Sequence, residues 1–257
     1  MTPDGIPARL LARLDELGRV LERRGDAIAL IGLGSVGVEL DRLDDHSDMD
    51  FFVVAEDDGR QRYVDEIDWL LELHPITFSF ENSIHGRKVL FADGLFAEYA
   101  VFTLGEVLAG EMVGGRLIWQ RGDAPAELIT ERRPQIPASY LTPEYQANEA
   151  LTNLYVGLHR ELRGERLTAM RFIQCYAVDR ALTMLELREP DLEHHRDAYV
   201  PDRRAESRAG DRLPIAKLAP GYERNREAAL AMLAWLEEHA DVDLTLASAI
   251  RELAADG

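Results

Sequence analysis

The sequence is poor in lysine and cysteine and has no long apolar run, and each shortage excludes something. Cys175 is the only cysteine among 257 residues, so neither an internal disulfide nor a cysteine-rich metal site can form. A lone thiol of this kind reads as core filler in a reducing cytoplasm. No apolar stretch approaches the roughly 20 residues that a membrane-spanning helix needs. The opening MTPDGIPARLLARL lacks a basic segment followed by an apolar block, which predicts no secretory leader and a cytoplasmic protein away from membranes. Lys88 and Lys217 are the only lysines, so arginine carries nearly all the positive charge.

Acidic residues outnumber basic ones, 47 against 29, for a net charge of -18. A surface of that sign repels a polynucleotide backbone, whose binding needs basic patches. It attracts cationic small molecules through the same field, or is simply a solvated acidic coat. Apolar content is ample for one large core or two ordinary ones, and there is no internal repeat or low-complexity tail.

Periodicity then orders the chain. Leu10, Leu11, Leu14, Leu17 and Leu21 predict a helix over residues 5–24, ended by Gly25-Asp26. Ala27–Ile31 reads as a buried strand running into a Gly-Ser turn, followed by a short polar helix or loop over 38–46. Met49–Val54 is the next strand, and Arg60–Leu73 a further helix. Ile76–Phe80, Arg87–Phe91 and Leu95–Phe102 are rich in β-favouring residues, with Ala92-Asp93-Gly94 as a hairpin turn. Leu117–Gln120 is a candidate edge strand. Strands that follow one another without helices predict an α+β domain, not repeated βαβ units. Prolines at 125, 134, 137 and 143 mark a boundary, which divides the chain into a domain over 1–122, a linker over 123–143 and a helical domain over 144–257. In that last part Leu151, Leu154, Tyr155, Leu158 and Leu162 form one stripe, and Met170, Ile173, Tyr176 and Ala177 begin another. A charged connection over 188–212 precedes two more helices, Glu227–Glu238 and Leu244–Leu253. Together they predict an up-and-down bundle of four or more helices.

The chemistry concentrates between Ile31 and Val54. Asp48 and Asp50 stand at the start of a strand, where residues two apart share a face, so their carboxylates converge. Two carboxylates forced together are tolerated mainly around a cation. The Gly34-Ser35 turn ahead of them can offer backbone N–H groups to an anion. A rival reading is open here, because Gly32-Leu33-Gly34-Ser35-Val36-Gly37 also fits the dinucleotide-binding fingerprint, with Glu56 as the ribose acid. Against it, the segment that should be the first crossover helix, VELDRLDDHS, is short and acidic and has no apolar stripe. Asp48 and Asp50 would also have no role.

Gly34-Ser35, twelve intervening residues and then Asp48-Met49-Asp50 before an apolar strand resembles the signature of the polymerase-β-type nucleotidyltransferases. The Ser-Asp-x-Asp form is similar to the antibiotic-modifying (aminoglycoside and lincosamide) branch. The resemblance implies a nucleotidyltransferase domain with a mixed sheet, followed by an α-helical bundle. It implies a Mg²⁺-dependent enzyme that moves a nucleoside monophosphate, AMP from ATP, onto the hydroxyl of a small molecule, with a homodimer as an admissible assembly. Asp48 and Asp50 then ligate the metal, with Glu98 as third ligand or as the base; Glu stands where the family more often has Asp. Gly34, Ser35, Ser47, Arg42 and Lys88 become nucleotide-binding candidates, and Glu144 and Glu149 line the acceptor site.

Two other classes stay open. One is a toxin–antitoxin transferase that modifies a partner protein; Arg188 and His194 show an R-x5-H spacing, but Pro190 between them breaks the helix that motif needs. The other is a catalytically silent nucleotide-binding regulator. Arg87 beside Lys88 reads as surface as readily as phosphate contact, and Arg163-Gly164-Glu165 as a plain inter-helix turn. His194-His195 has no second ligand cluster, which excludes a zinc site.

Overall fold

The computed structural model describes residues 5–133, 136–189 and 202–256, and the chain divides into two compact units, Met1–Pro134 and Gln135–Gly257. The first is built on a six-stranded mixed sheet. Its strands are β1 (Ala27–Gly32), β2 (Met49–Ala55), β3 (Ile76–Ser83), β4 (Gly86–Phe91), β5 (Phe96–Thr103) and β6 (Arg116–Gln120). The order across the sheet is β3-β4-β5-β2-β1-β6. Neighbours pair antiparallel, except β2 and β5, which run parallel. The α+β expectation therefore holds. The dinucleotide-binding rival fails, because β1 and β2 are antiparallel and no crossover helix joins them.

Alternation gives the sheet two faces. Met49, Phe51 and Val53 point with Val89, Ala97 and Tyr99 into one core, closed by helix α1 (Ile6–Arg24) through Leu10, Leu14, Leu17 and Leu21. Phe51 stacks on Tyr99 at 5.4 Å, and Trp69 meets both rings edge-on. The predicted helix over Arg60–Leu73 is two pieces, α2 (Arg60–Asp65) and α3 (Asp68–Leu71). Burial of Trp69 explains the break, since its indole N–H donates to the carbonyls of Tyr63 and Glu66 at 3.2 and 3.0 Å. On the opposite face Ile31, Val54 and Val107 form a smaller core under α4 (Leu104–Ala109). That helix starts in a reciprocal cap: Glu106 N–H donates to the Thr103 hydroxyl, and Thr103 N–H donates to the Glu106 carboxylate.

The proline-rich stretch is not free chain up to residue 133. Leu128 is buried in the smaller core, and Met112 and Arg132 exchange backbone hydrogen bonds of 2.9 and 2.8 Å. The Arg132 guanidinium donates to the carbonyls of Val107, Gly110, Glu127 and Thr130.

The second unit is helical. Its elements are α5 (Pro143–Leu162), α6 (Arg166–Met170), α7 (Ala177–Arg188), α8 (Ala205–Ala209), α9 (Ile215–Leu218), α10 (Asn225–His239) and α11 (Leu244–Ala255). α5 packs against α7, α10 and α11, burying Leu151, Leu154 and Leu158. A π-helical turn, Arg171–Tyr176, joins α6 to α7. It turns Ile173 and Gln174 inward and leaves Cys175 exposed, so the thiol is not core filler. The Gln174 amide bonds Gly221 on both sides, as donor and acceptor, and donates to Asn225. Pro190, His194 and His195 lie outside the described residues, whereas Arg188 ends α7. No described helix is long and apolar enough to cross a membrane.

Two stability predictions follow from this packing. A Cβ at Gly157 on α5 would come within 2.5 Å of the Ile173 side chain, so Gly157→Ala should cost about 1–3 kcal/mol in urea unfolding by overpacking. Asp93 is held by Arg9 and Arg13 at 2.8 Å each. Burial pushes its carboxyl up, but the two guanidinium groups outweigh that and hold it below the ordinary 3.8. A depressed folded value contributes stability above the unfolded pKa, and that contribution is lost as pH falls through the folded one. The stability difference between wild type and Asp93→Asn should therefore be full at pH 6 and shrink below about pH 4, as urea melts across that range will register.

Candidate active site

β1 ends at Gly32, and the chain turns at once through a 3-10 segment, Gly34–Val36. The three glycines of the motif have steric reasons. Gly34 has φ +54°, a left-handed backbone that other residues adopt at a cost. A Cβ on Gly32 would strike the Val36 carbonyl at 2.6 Å, and one on Gly37 the Gly114 carbonyl at 2.7 Å. Inside the turn Val36 and Gly37 donate to Leu33 and Gly34 at 3.2 and 3.0 Å. The turn is tied to β2 as well, since Leu33 N–H donates to the Asp50 carbonyl at 2.8 Å. The Asp50 carboxylate faces it, with Oδ2 3.8 Å from where a Gly34 Cβ would stand.

Asp50 is partly exposed on β2, and Asp48, exposed, immediately precedes the strand. Strand alternation puts Asp50 on the face opposite Met49 and Phe51. The parallel pairing sets Asp50 level with Glu98 on β5, and Glu98 is in turn level with Lys88 on β4. Both Glu98 oxygens are engaged: Lys88 Nζ lies 3.0 Å from Oε2, and the Asn82 amide donates to Oε1 at 2.7 Å. Lys88 and Glu98 are thus each other's partners.

The other sequence candidates fall as follows. Ser35 is buried in the turn. The Ser47 hydroxyl lies in a local turn, accepting from Asp44 N–H at 3.0 Å and donating to its carboxylate. Arg42 pairs with Glu39. Arg87 serves the sheet, donating to Ser79, Glu81 and the Val64 carbonyl. Glu144 is exposed in the first turn of α5 and Glu149 partly exposed further along it. Arg163-Gly164-Glu165 is an inter-helix turn with Gly164 at φ +78°, closed by an Arg160–Glu165 ion pair at 2.8 Å.

Sequence reasoning missed Arg116. From the start of β6 its guanidinium donates three times into the glycine turn, to the Val36 carbonyl at 3.1 and 2.9 Å and to that of Gly37 at 3.0 Å. No local pattern could have announced it, because the bonds cross about eighty residues of chain.

The donor set suits a hard cation such as magnesium, being all carboxylate oxygen. Among the described residues no three His, Cys, Asp or Glu side chains already stand close enough to hold a metal. Magnesium needs less, since it is commonly held by one or two carboxylates, with water and substrate phosphates filling the remaining positions. Removing the Arg116 clamp should loosen the turn: Arg116→Ala is expected to cost about 1–3 kcal/mol and to speed amide exchange selectively over residues 33–38, read by hydrogen-exchange mass spectrometry.

No family model matches the chain, and no curated protein matches it. Among solved structures, a STING-associated CdnE c-di-GMP synthase from Capnocytophaga granulosa aligns over 98% of this chain and 80% of its own, at 11% identity and a TM-score of 0.29. At that score the likeness decides neither fold nor activity, which rest on the geometry above.

Proposed function

We propose that the chain is a magnesium-dependent nucleotidyltransferase that moves a nucleoside monophosphate, AMP from ATP, onto a hydroxyl of a small molecule. The observation that carries this reading is the Asp50 carboxylate facing the Gly34 turn, with an exposed Asp48 one residue before the same strand. Asp48 and Asp50 would hold the cation. The amides of Gly34 and Ser35 would offer donors to β- and γ-phosphate oxygens, and Gly34 would let phosphate approach the backbone without a side chain in the way. Arg116 keeps that turn in shape. When bound, the cation supplies charge neutralisation at the α-phosphorus and the departing pyrophosphate, the main part of catalysis in transfers of this kind.

In this reading Glu98, level with Asp50, is placed to take the hydroxyl proton; a carboxylate within hydrogen-bond reach is enough. Lys88 holds it ready on the neighbouring strand. Ser47 and Arg42 shape the loop before the aspartates. Glu144 and Glu149 remain candidates for acceptor contacts. The net charge of -18 agrees with a small acceptor rather than a polynucleotide. Aminoglycoside- and lincosamide-like antibiotics belong in the acceptor screen, beside hydroxyl compounds that carry an aromatic ring.

The test is a panel of nucleoside triphosphates and hydroxyl acceptors incubated with Mg²⁺, followed by pyrophosphate release and mass spectrometry for the added monophosphate. Asp48→Asn and Asp50→Asn should each lower turnover by at least about a hundredfold, the size expected when electrostatic stabilisation is lost, with an unchanged melting temperature. Full activity in either variant contradicts the assignment.

A further inference from the structure

On the face of the sheet that carries Asp50, β3 and β4 leave an apolar patch uncovered. Phe78 and Phe80 are 52% and 44% exposed, with ring centroids 5.7 Å apart. Strand register continues the patch inward. Phe78 is level with Leu90 and Leu90 with Phe96, one residue before the β2–β5 pairing begins. Leu90 and Phe96 are both partly exposed. The adjoining row runs Phe80, Lys88, Glu98, Asp50. Two tracks, one apolar and one ion-paired, thus run from an aromatic pair toward β2, the second ending at Asp50. That second track crosses three strand spacings, roughly 14 Å at about 4.8 Å each.

Resting on the transferase reading, we infer that this patch is the acceptor subsite, and that the acceptor is a hydroxyl compound bearing an aromatic ring. Direction follows from the transfer itself. The phosphates lie toward Gly34 and Ser35, on the β1 side of Asp50, whereas Phe78 and Phe80 lie on the β5–β4–β3 side. Displacement at phosphorus keeps the attacking and leaving oxygens roughly in line. With pyrophosphate departing over the glycine turn, the hydroxyl enters from the aromatic side. Its oxygen bonds the α-phosphorus as the bond to pyrophosphate breaks, and its proton passes to Glu98. The rest of the acceptor lies along the two tracks, polar groups over Lys88 and Glu98 and the ring on Phe78 and Phe80. Exposed phenylalanines on an edge strand are costly in water and invite pairing with other chains; a stacked ring removes that exposure. A purely polar, polycationic acceptor would leave both rings wet.

The test uses the full chain without nucleotide or metal, so that its outcome is independent of catalysis. Saturation-transfer NMR titrations compare 4-nitrophenyl β-D-glucopyranoside with methyl β-D-glucopyranoside. The aryl compound should bind more tightly, with saturation strongest at its ring protons. Phe78→Ala/Phe80→Ala should weaken it by up to about tenfold, the worth of an aromatic contact. Phe80→Leu, which keeps apolar area but removes a ring, should weaken it less. Equal binding of the two glycosides, or an unchanged affinity in the double variant, overturns the subsite. So does a shift from dimer to monomer in the double variant on sedimentation, which would make the patch a self-interface. If ring selectivity holds while the triphosphate panel yields no transfer, the ring site stands and the transferase reading falls.

Discussion

The parallel pairing of β2 with β5 is the constraint on which the rest of the first unit depends. Every other neighbouring pair in the sheet is antiparallel. This one sets residues 49–55 level with 97–103, and so decides which acid stands beside which. A slip of one residue would turn Asp50 and Glu98 into the Phe51–Tyr99–Trp69 core, where an unpaired carboxylate is prohibitively costly. The aromatic stack on one face therefore holds the carboxylates in place on the other. The tie from Leu33 to the Asp50 carbonyl extends that register into the glycine turn.

Much of this was legible in the sequence because it is local. The leucine spacing of α1, the alternation in β4 and β5 and the Ala92-Asp93-Gly94 turn, where Gly94 takes φ +87°, are each encoded within a few residues. The Asp-x-Asp spacing fixes a shared face once the strand is recognised. What escaped was set at long range or masked by a competing pattern. Arg60–Leu73 reads as one amphipathic helix because its apolar spacing is right, yet burial of the Trp69 indole claims two carbonyls and splits it. α4 was hidden by the strand before it, although Thr103-x-x-Glu106 is a capping signal in plain view. Cys175 reads as core filler only because lone thiols usually are, and the π turn instead leaves it exposed.

The candidate site shows the same division. Spacing alone singles out Gly34, Asp48 and Asp50 as candidates, and the structure turns the Asp50 carboxylate toward Gly34. Ser47 and Arg42 make short local bonds, with Asp44 and Glu39. Lys88 and Glu98 were singled out separately, one for phosphate and one for metal, and the sheet brings them together as a pair. Such cross-strand pairing is invisible until register is known.

The scarcity of lysine acquires a meaning from how the arginines are used. Arg116, Arg132, Arg60, Arg87 and Arg9 all donate to backbone carbonyls far along the chain, tying together turns, strands and helices that are distant in sequence. A planar fork with several donors does this work where an ammonium, a compact point charge, serves less well. Because a guanidinium keeps its proton far above neutrality, these fastenings outlast alkaline conditions that would discharge a lysine. They are equally indifferent to acylation of amines, a chemistry that leaves this architecture standing and finds, among the side chains, Lys88 and Lys217 alone.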